Sequence, residues 1–265
     1  MELLISVSTS VINVFLGLFT YLKNPKSATN KLLALLAFQI SFWSIINYLS
    51  LHQATEVQTL FWIRLDMLPG ALMGPTILLL VLTFPNINLA VSKRLLVAIC
   101  LLVLVTMILA LSPFMFTQAI FEEGNIQAVP GPGIAIFMVN FLGSLALSFI
   151  ILIKRFREST GREHLQLKFI LLGLSTAFSL IAITQLLFVV IFKTSFFIKF
   201  GPLYTLILVG SISYAIVKHK FLDIGLLVAR TVSYTVITFV IVCVYTLFLY
   251  TVTSFIPELA VTLKQ

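Results

Sequence analysis

The chain has 265 residues, 60% hydrophobic and 10% charged, with 17 Lys and Arg against 9 Asp and Glu and a formal net charge of +8. Soluble domains carry about 25% charged residues, so a water-soluble globular enzyme is excluded, and the mean hydropathy of +1.13 identifies an integral membrane protein. The cations flank apolar runs instead of clustering on a domain, which removes nucleic acid as the reason for the charge.

Eight apolar runs predict an all-α, polytopic transmembrane helix bundle: Leu3–Leu22, Leu32–Leu51, Thr59–Phe84, Leu95–Leu111, Gly133–Ile153, Leu165–Phe192, Gly201–Ile216 and Val232–Phe255. Runs of this length suit helices crossing a ~30 Å hydrocarbon core, not barrel strands. The start, Met1-Glu2-Leu3-Leu4, lacks a cationic leader, so the first span is expected to serve as the insertion signal. Loop charge sets the orientation. Lys23, Lys26, Lys31, Lys93, Arg94, Lys154, Arg155, Arg157, Arg162, Lys168, Lys218, Lys220 and Arg230 follow spans one, three, five and seven. Lys193, Lys199 and Lys264 alone lie on the other side, and Arg64 falls within a span. By the positive-inside rule the amino terminus is outside and the basic loops are cytoplasmic, in a multi-pass membrane protein.

Polar side chains gather in the outer halves of the spans. The first span carries Ser6, Thr9 and Ser10, the second Trp43 and Asn47, and the third Trp62, Arg64 and Asp66. The fifth, sixth and seventh add Asn140, Gln185 and Tyr204, whereas the inner halves read as mainly Leu, Ile, Phe and Val. A charged group inside a span costs roughly 2.5–3.5 kcal/mol on insertion scales, so Arg64 and Asp66 mark a candidate functional site. Two residues apart on a helix, they point to different faces and do not pair with each other. Asp66 is expected to turn inward to polar partners, and Arg64 to snorkel outward or rim a cavity. Two readings of the whole set stand: a small-ligand pocket open to the outside or the outer leaflet, formed by Trp43, Asn47, Trp62, Arg64, Asp66, Asn140, Gln185 and Tyr204, or interhelical glue worth ~0.6 kcal/mol per group. Pro69, Gly70 and Gly74 predict a kink in the third helix that would act as the moving part.

Between spans four and five lies a long outer connection, Ser112–Pro132, whose Phe114, Phe116 and Phe121 either cap a cavity mouth or rest among headgroups. On the cytoplasmic side, Thr160-Gly161-Arg162-Glu163 has the spacing of a capping box. It would start the sixth helix below the membrane and expose His164 and Gln166. The run Tyr214–Gly225 leaves the seventh span through Lys218, His219 and Lys220, with Asp223 a good cap for a short interfacial segment. Cys100 and Cys243 lie in apolar runs and read as packing residues.

No catalytic constellation is present. His52, His164 and His219 fall in separate loops, and no metal, P-loop, nucleophile-elbow or dinucleotide motif occurs. Neither a cofactor nor a metal site is expected.

Phe61-Trp62-Ile63-Arg64-Leu65, Gly74-Pro75 and Thr83-Phe84-Pro85 resemble the amino-terminal seven-helix sensor region of bacterial membrane histidine kinases. The same holds for Ala37-Phe38 with Phe42-Trp43-Ser44, for Gly161–Lys168 with Gly173, and for Tyr214–Ile224 with Arg230 and Tyr234. The resemblance implies a non-enzymatic input region that detects a signal and passes a shift to a cytoplasmic output, usually a histidine kinase and occasionally a cyclase. A homodimer formed through that output domain is the implied assembly. Arg162, Glu163, Gln166, His219, Asp223 and Arg230 are then the expected cytoplasmic relay.

The organisation read from the sequence is a sensor bundle over residues 1–216, a cytoplasmic linker over 217–231, an eighth helix over 232–255 and a short external tail over 256–265. A kinase would need one more crossing, so the sequence is expected to be cut before a further span. The rival function is a small-solute transporter or channel, and an assembly subunit without a ligand is the third reading.

Overall fold

The first helix, α1 (Glu2–Lys23), is built inside out: it buries Ser6, Thr9, Ser10, Asn13, Gly17 and Thr20 and turns Leu4, Val11, Phe15 and Leu22 outward. This is what a lipid solvent dictates. Apolar side chains gain nothing by leaving lipid, so small and polar residues mediate contact between helices. The partner is α2 (Ala28–Ser50). Ser10 Oγ donates to the carbonyls of Ser6 and Ser41 at 2.8 and 3.1 Å, and Ser41 Oγ returns the bond to Ser10 O at 3.0 Å. The backbones approach closely because Gly17 has no side chain; a Cβ there would lie 2.7 Å from that of Ala37. Ser41→Ala removes one reciprocal bond and is expected to cost roughly 0.6 kcal/mol and at most ~1.7 kcal/mol, measurable by reversible unfolding in mixed detergent.

A computed structural model describes residues 2–53, 55–122, 125–187, 197 and 200–218, the side chains of 121, 122, 125–127, 185–187 and 218 excepted. Within these residues α3 (Glu56–Thr83) and α4 (Lys93–Ala110) follow, then a β-hairpin of β1 (Phe116–Glu122) and β2 (Asn125–Pro130). Helices α5 (Gly133–Glu158), α6 (Gly161–Ile181) and α7 (Gly201–Lys218) complete the bundle, with a π-helical stretch, Ala182–Leu187, continuing α6. Among the described residues six helices are long and apolar enough to span a membrane and α7 is a shorter apolar one, so the chain is a polytopic transmembrane helix bundle. The expected eighth span, the 219–231 part of the linker and the tail lie outside the described residues.

Helix α3 begins three residues before the expected Thr59, because the side chain of Thr55 accepts the amide of Gln58 and caps it. It runs unbroken through both Pro69 and Pro75. The expected capping box on α6 does not close: Thr160 occupies the cap position without a side-chain bond, and Glu163 turns instead to Arg155 Nη2 at 2.9 Å. Gly161, with φ of 60°, supplies the left-handed residue that turns α5 into α6. Cys100 is exposed on α4 and is not a packing residue, since that helix buries only Thr106 and Ala110.

The outer connection is not simply a loop. β1 and β2 pair antiparallel, with a register irregularity between Phe116 and Gln118. Its base is pinned by Gly131 N to Met115 O and Gly133 N to Phe114 O, both 2.8 Å. At Gly131 a Cβ would sit 2.2 Å from Phe114 O, so no larger residue fits. Phe114 is exposed, and Phe116 packs against a small outer cluster of Ala71, Ala110, Met115 and Phe137. The side chain of Phe121 lies outside the described set.

The turns carrying the cations meet at one end of the bundle. Ala28 N bonds Ile87 O at 2.6 Å and Thr29 Oγ1 bonds Asn86 O at 2.9 Å, joining the α1–α2 and α3–α4 turns. Just inside them lies the main apolar core, including Leu33, Leu36, Leu80, Leu167, Leu174 and Ile212. The cytoplasmic half is nevertheless not purely apolar. Asn30 Nδ2 bonds Thr20 O at 2.7 Å and Thr20 Oγ1 bonds Ser213 Oγ at 3.2 Å, tying α1, α2 and α7 together.

Candidate functional site

Helical spacing puts Trp43 and Asn47, four residues apart, on one face of α2. That face meets α3 at Asp66. Trp43 and Asn47 are the hydrogen-bonding neighbours of its carboxyl group, yet Asp66 Oδ1 is buried with no hydrogen-bond partner. The side chain is 8% exposed. An acceptor enclosed in this way carries an unmet desolvation cost, which a complementary donor or cation would relieve.

Arg64 faces elsewhere. Its Nε and Nη2 donate to Phe116 O at 3.2 and 2.6 Å, fastening β1 to α3. Since α3 starts at Glu56, Arg64 and Asp66 lie roughly 12 and 15 Å along the helix at 1.5 Å per residue. Trp62 is half-buried and packs edge-on against Phe61. Asn140, fully buried on α5, donates through Nδ2 to Ala71 O at 2.9 Å and leaves Oδ1 unpartnered. Tyr204 is half-buried near the start of α7. The side chain of Gln185, in the π-helical stretch, lies outside the described set. The structure therefore joins Trp43, Asn47 and Asp66, gives Arg64 to the hairpin, and sets Asn140 one turn deeper against α3.

At the cytoplasmic end Glu163 pairs with Arg155, Gln166 Nε2 donates to Ala215 O of α7 at 2.9 Å, and Arg162 is exposed. His219, Asp223 and Arg230 lie outside the described residues. Two shallow concavities open at this end, one along Pro85–Ala90 and one beside Ile150, Lys154 and Arg157. Neither includes an expected ligand residue, and neither carries buried polar chemistry; the enclosed carboxyl group of Asp66 is the more informative feature.

Two contacts escaped the sequence reading. Arg155 reaches the carbonyls of Val81 and Phe84 as well as Glu163, and looked like one basic anchor among several. Gln39 Nε2 bonds Thr76 Oγ1 at 3.0 Å, a polar pair in spans that read as apolar there.

Among known proteins, a family model described as the N-terminal 7TM region of histidine kinase matches residues 5–225. No curated protein and no solved structure matches.

Proposed function

Because the chain belongs to the family described as the N-terminal 7TM region of histidine kinase, we propose that it detects a small or membrane-borne signal in the outer half of the bundle and relays it to a cytoplasmic output. The family's place ahead of a kinase makes this region a non-catalytic input. The observation that carries the finer reading is Asp66: a carboxyl group buried beside Trp43 and Asn47 with one oxygen unpartnered. Trp43 supplies an aromatic surface and Asn47 a polar neighbour, so a ligand offering a donor or a positive group would complete the site. Arg64, held on the hairpin, links the outer surface to the same helix two residues away.

The proposed setting is the inner (plasma) membrane, with a homodimer assembled through the output domain. The apolar packing at the cytoplasmic end supports a receptor over a solute transporter, since Leu36, Leu167, Leu174 and Ile212 are closely packed there. A transport path would have to continue through that layer to the inner face, past side chains no more than 1% exposed.

The chain holds 2 tryptophans, so Trp62→Phe leaves Trp43 as a single emitter next to Asp66. In nanodiscs, titration with short alkylamines, peptides and fatty acids is expected to give a saturable shift of Trp43 emission with one of these classes. That shift should vanish in Asp66→Ala. No response to any class, or a response indifferent to Asp66, would count against the site.

A further inference from the structure

A proline has no amide hydrogen, so the carbonyl four residues before it lacks its helical partner. Pro75 inside helix α3 leaves the carbonyl of Ala71 without its donor, and Val81 lies in the last turn of α3, where carbonyls have no helical donor and Pro85 beyond offers none. Both are served from α5. Asn140 Nδ2 donates to Ala71 O at 2.9 Å, and Arg155 Nη1 donates to Val81 O at 3.0 Å and also to Phe84 O. Helix α5 is thus a splint that supplies both missing donors. It lies close enough because Gly74 presents no side chain; a Cβ there would stand 3.0 Å from Phe141 O and 3.2 Å from Phe141 Cα.

The second arm of the Arg155 guanidinium continues the connection. Its Nη2 binds Glu163 Oε1 at 2.9 Å in the first turn of α6. Gln166 sits one turn further and donates to Ala215 O, in the last turn of α7 before the chain runs on from residue 219. A surface ion pair by itself contributes little. Here one planar group makes charge-assisted bonds to two helix-end carbonyls and a carboxylate, which fixes three elements in a single geometry. The positive charge also suits the carboxyl end of α3. Lysine, a point charge without a fork, has no equivalent arrangement.

We propose that Arg155 is the positioning residue that couples α3 to the output-facing ends of α6 and α7: movement of α3 pulls Arg155, Arg155 pulls Glu163, and Gln166 carries the shift to Ala215. The source of that movement rests on the sensing role given to Asp66; the coupling itself does not.

The test is amide hydrogen exchange on the full chain in nanodiscs, read over residues 81–87, 161–167 and 212–218. Helix α3 is disturbed without any ligand, by Gly74→Ala and separately by Asn140→Ala. With Arg155 present, each is expected to speed exchange over 161–167 and 212–218 by about tenfold, the scale of one lost charge-assisted bond. In Arg155→Gln and Arg155→Lys backgrounds these two segments should no longer respond. Glu163→Gln cuts only the α6 branch, so it should block transmission while leaving 81–87 protected, and it serves if Arg155→Gln does not fold. Persistence of the effect without Arg155 or Glu163 overturns the proposal. So does failure of both α3 variants to reach α6 when Arg155 is present. Asp66→Asn provides the separating arm. If its Trp43 emission still responds to the alkylamine, peptide or fatty acid titration as the parent's does, while Gly74→Ala and Asn140→Ala act through Arg155, the coupling stands and the sensing site falls.

Discussion

Gly173→Ala is expected to destabilise the bundle by roughly 1–3 kcal/mol, the usual range for overpacking a close contact, and Gly173→Val by more. A Cβ on Gly173 would lie 2.4 Å from Ser211 Cβ and 2.7 Å from its Oγ, with Ile207 O at 3.3 Å. The first of these atoms is fixed to the α7 backbone, so no rotamer relieves the clash; α6 and α7 must separate. In lipid the loss is not offset by hiding the displaced side chains elsewhere, because packing itself is a main source of helix association there. The second-site change Ser211→Gly removes both close atoms and should recover most of the loss. Reversible unfolding in mixed detergent measures each variant, and a Gly173→Ala protein as stable as the parent would refute the close contact.

Asp66→Ala is expected to have the largest effect on signalling and little effect on stability. One carboxyl oxygen, Oδ1, has no partner to lose, and relief of that unsatisfied acceptor offsets the loss of the contacts to Trp43 and Asn47. A ligand that depends on it would lose a charge-assisted bond worth about 1.5–3 kcal/mol, a fall in sensitivity of roughly tenfold to a hundredfold. Arg64→Lys should do less, because an ammonium can retain one donor to Phe116 O in place of two. Dose–response curves for autophosphorylation of a histidine kinase domain joined behind this region, beside unfolding midpoints, separate the two quantities. Parallel losses of stability and response in Asp66→Ala would return the residue to an ordinary structural role.

Most of the helical layout was legible in the sequence, because span length and loop charge are consequences of the bilayer itself. The apolar runs lay within a few residues of α1–α5 and α7, and the boundaries moved where a local polar group decided them, as at Thr55 before α3. The hairpin was harder. Phe116–Glu122 and Asn125–Pro130 are too short for their alternation to stand out, although the sequence Gly124-Asn125 is a turn signal. Asp66 stood out as the acid inside a span, and its approach to Trp43 and Asn47 follows from helical spacing once α2 and α3 are neighbours. Arg155 was not legible as anything but a cytoplasmic cation, since its partners are set by a proline some seventy residues earlier in the chain. One clue was available: Pro75 and Pro85 each imply a stranded carbonyl that some other helix must supply with a donor.

A cell membrane holds a potential worth about 2.3 kcal/mol per elementary charge for each 100 mV, and a thread of water through a receptor would discharge it. Leu36, Leu167, Leu174 and Ile212 are no more than 1% exposed and pack where α2, α6 and α7 converge on the cytoplasmic side. Asp66 and Asn140, with their spare acceptors, lie on the other side of that layer. On the proposed sensing role, the outer half would admit and release its guest while the packed inner half stays an electrical insulator, and listening to the outside would drain no ions from the cell.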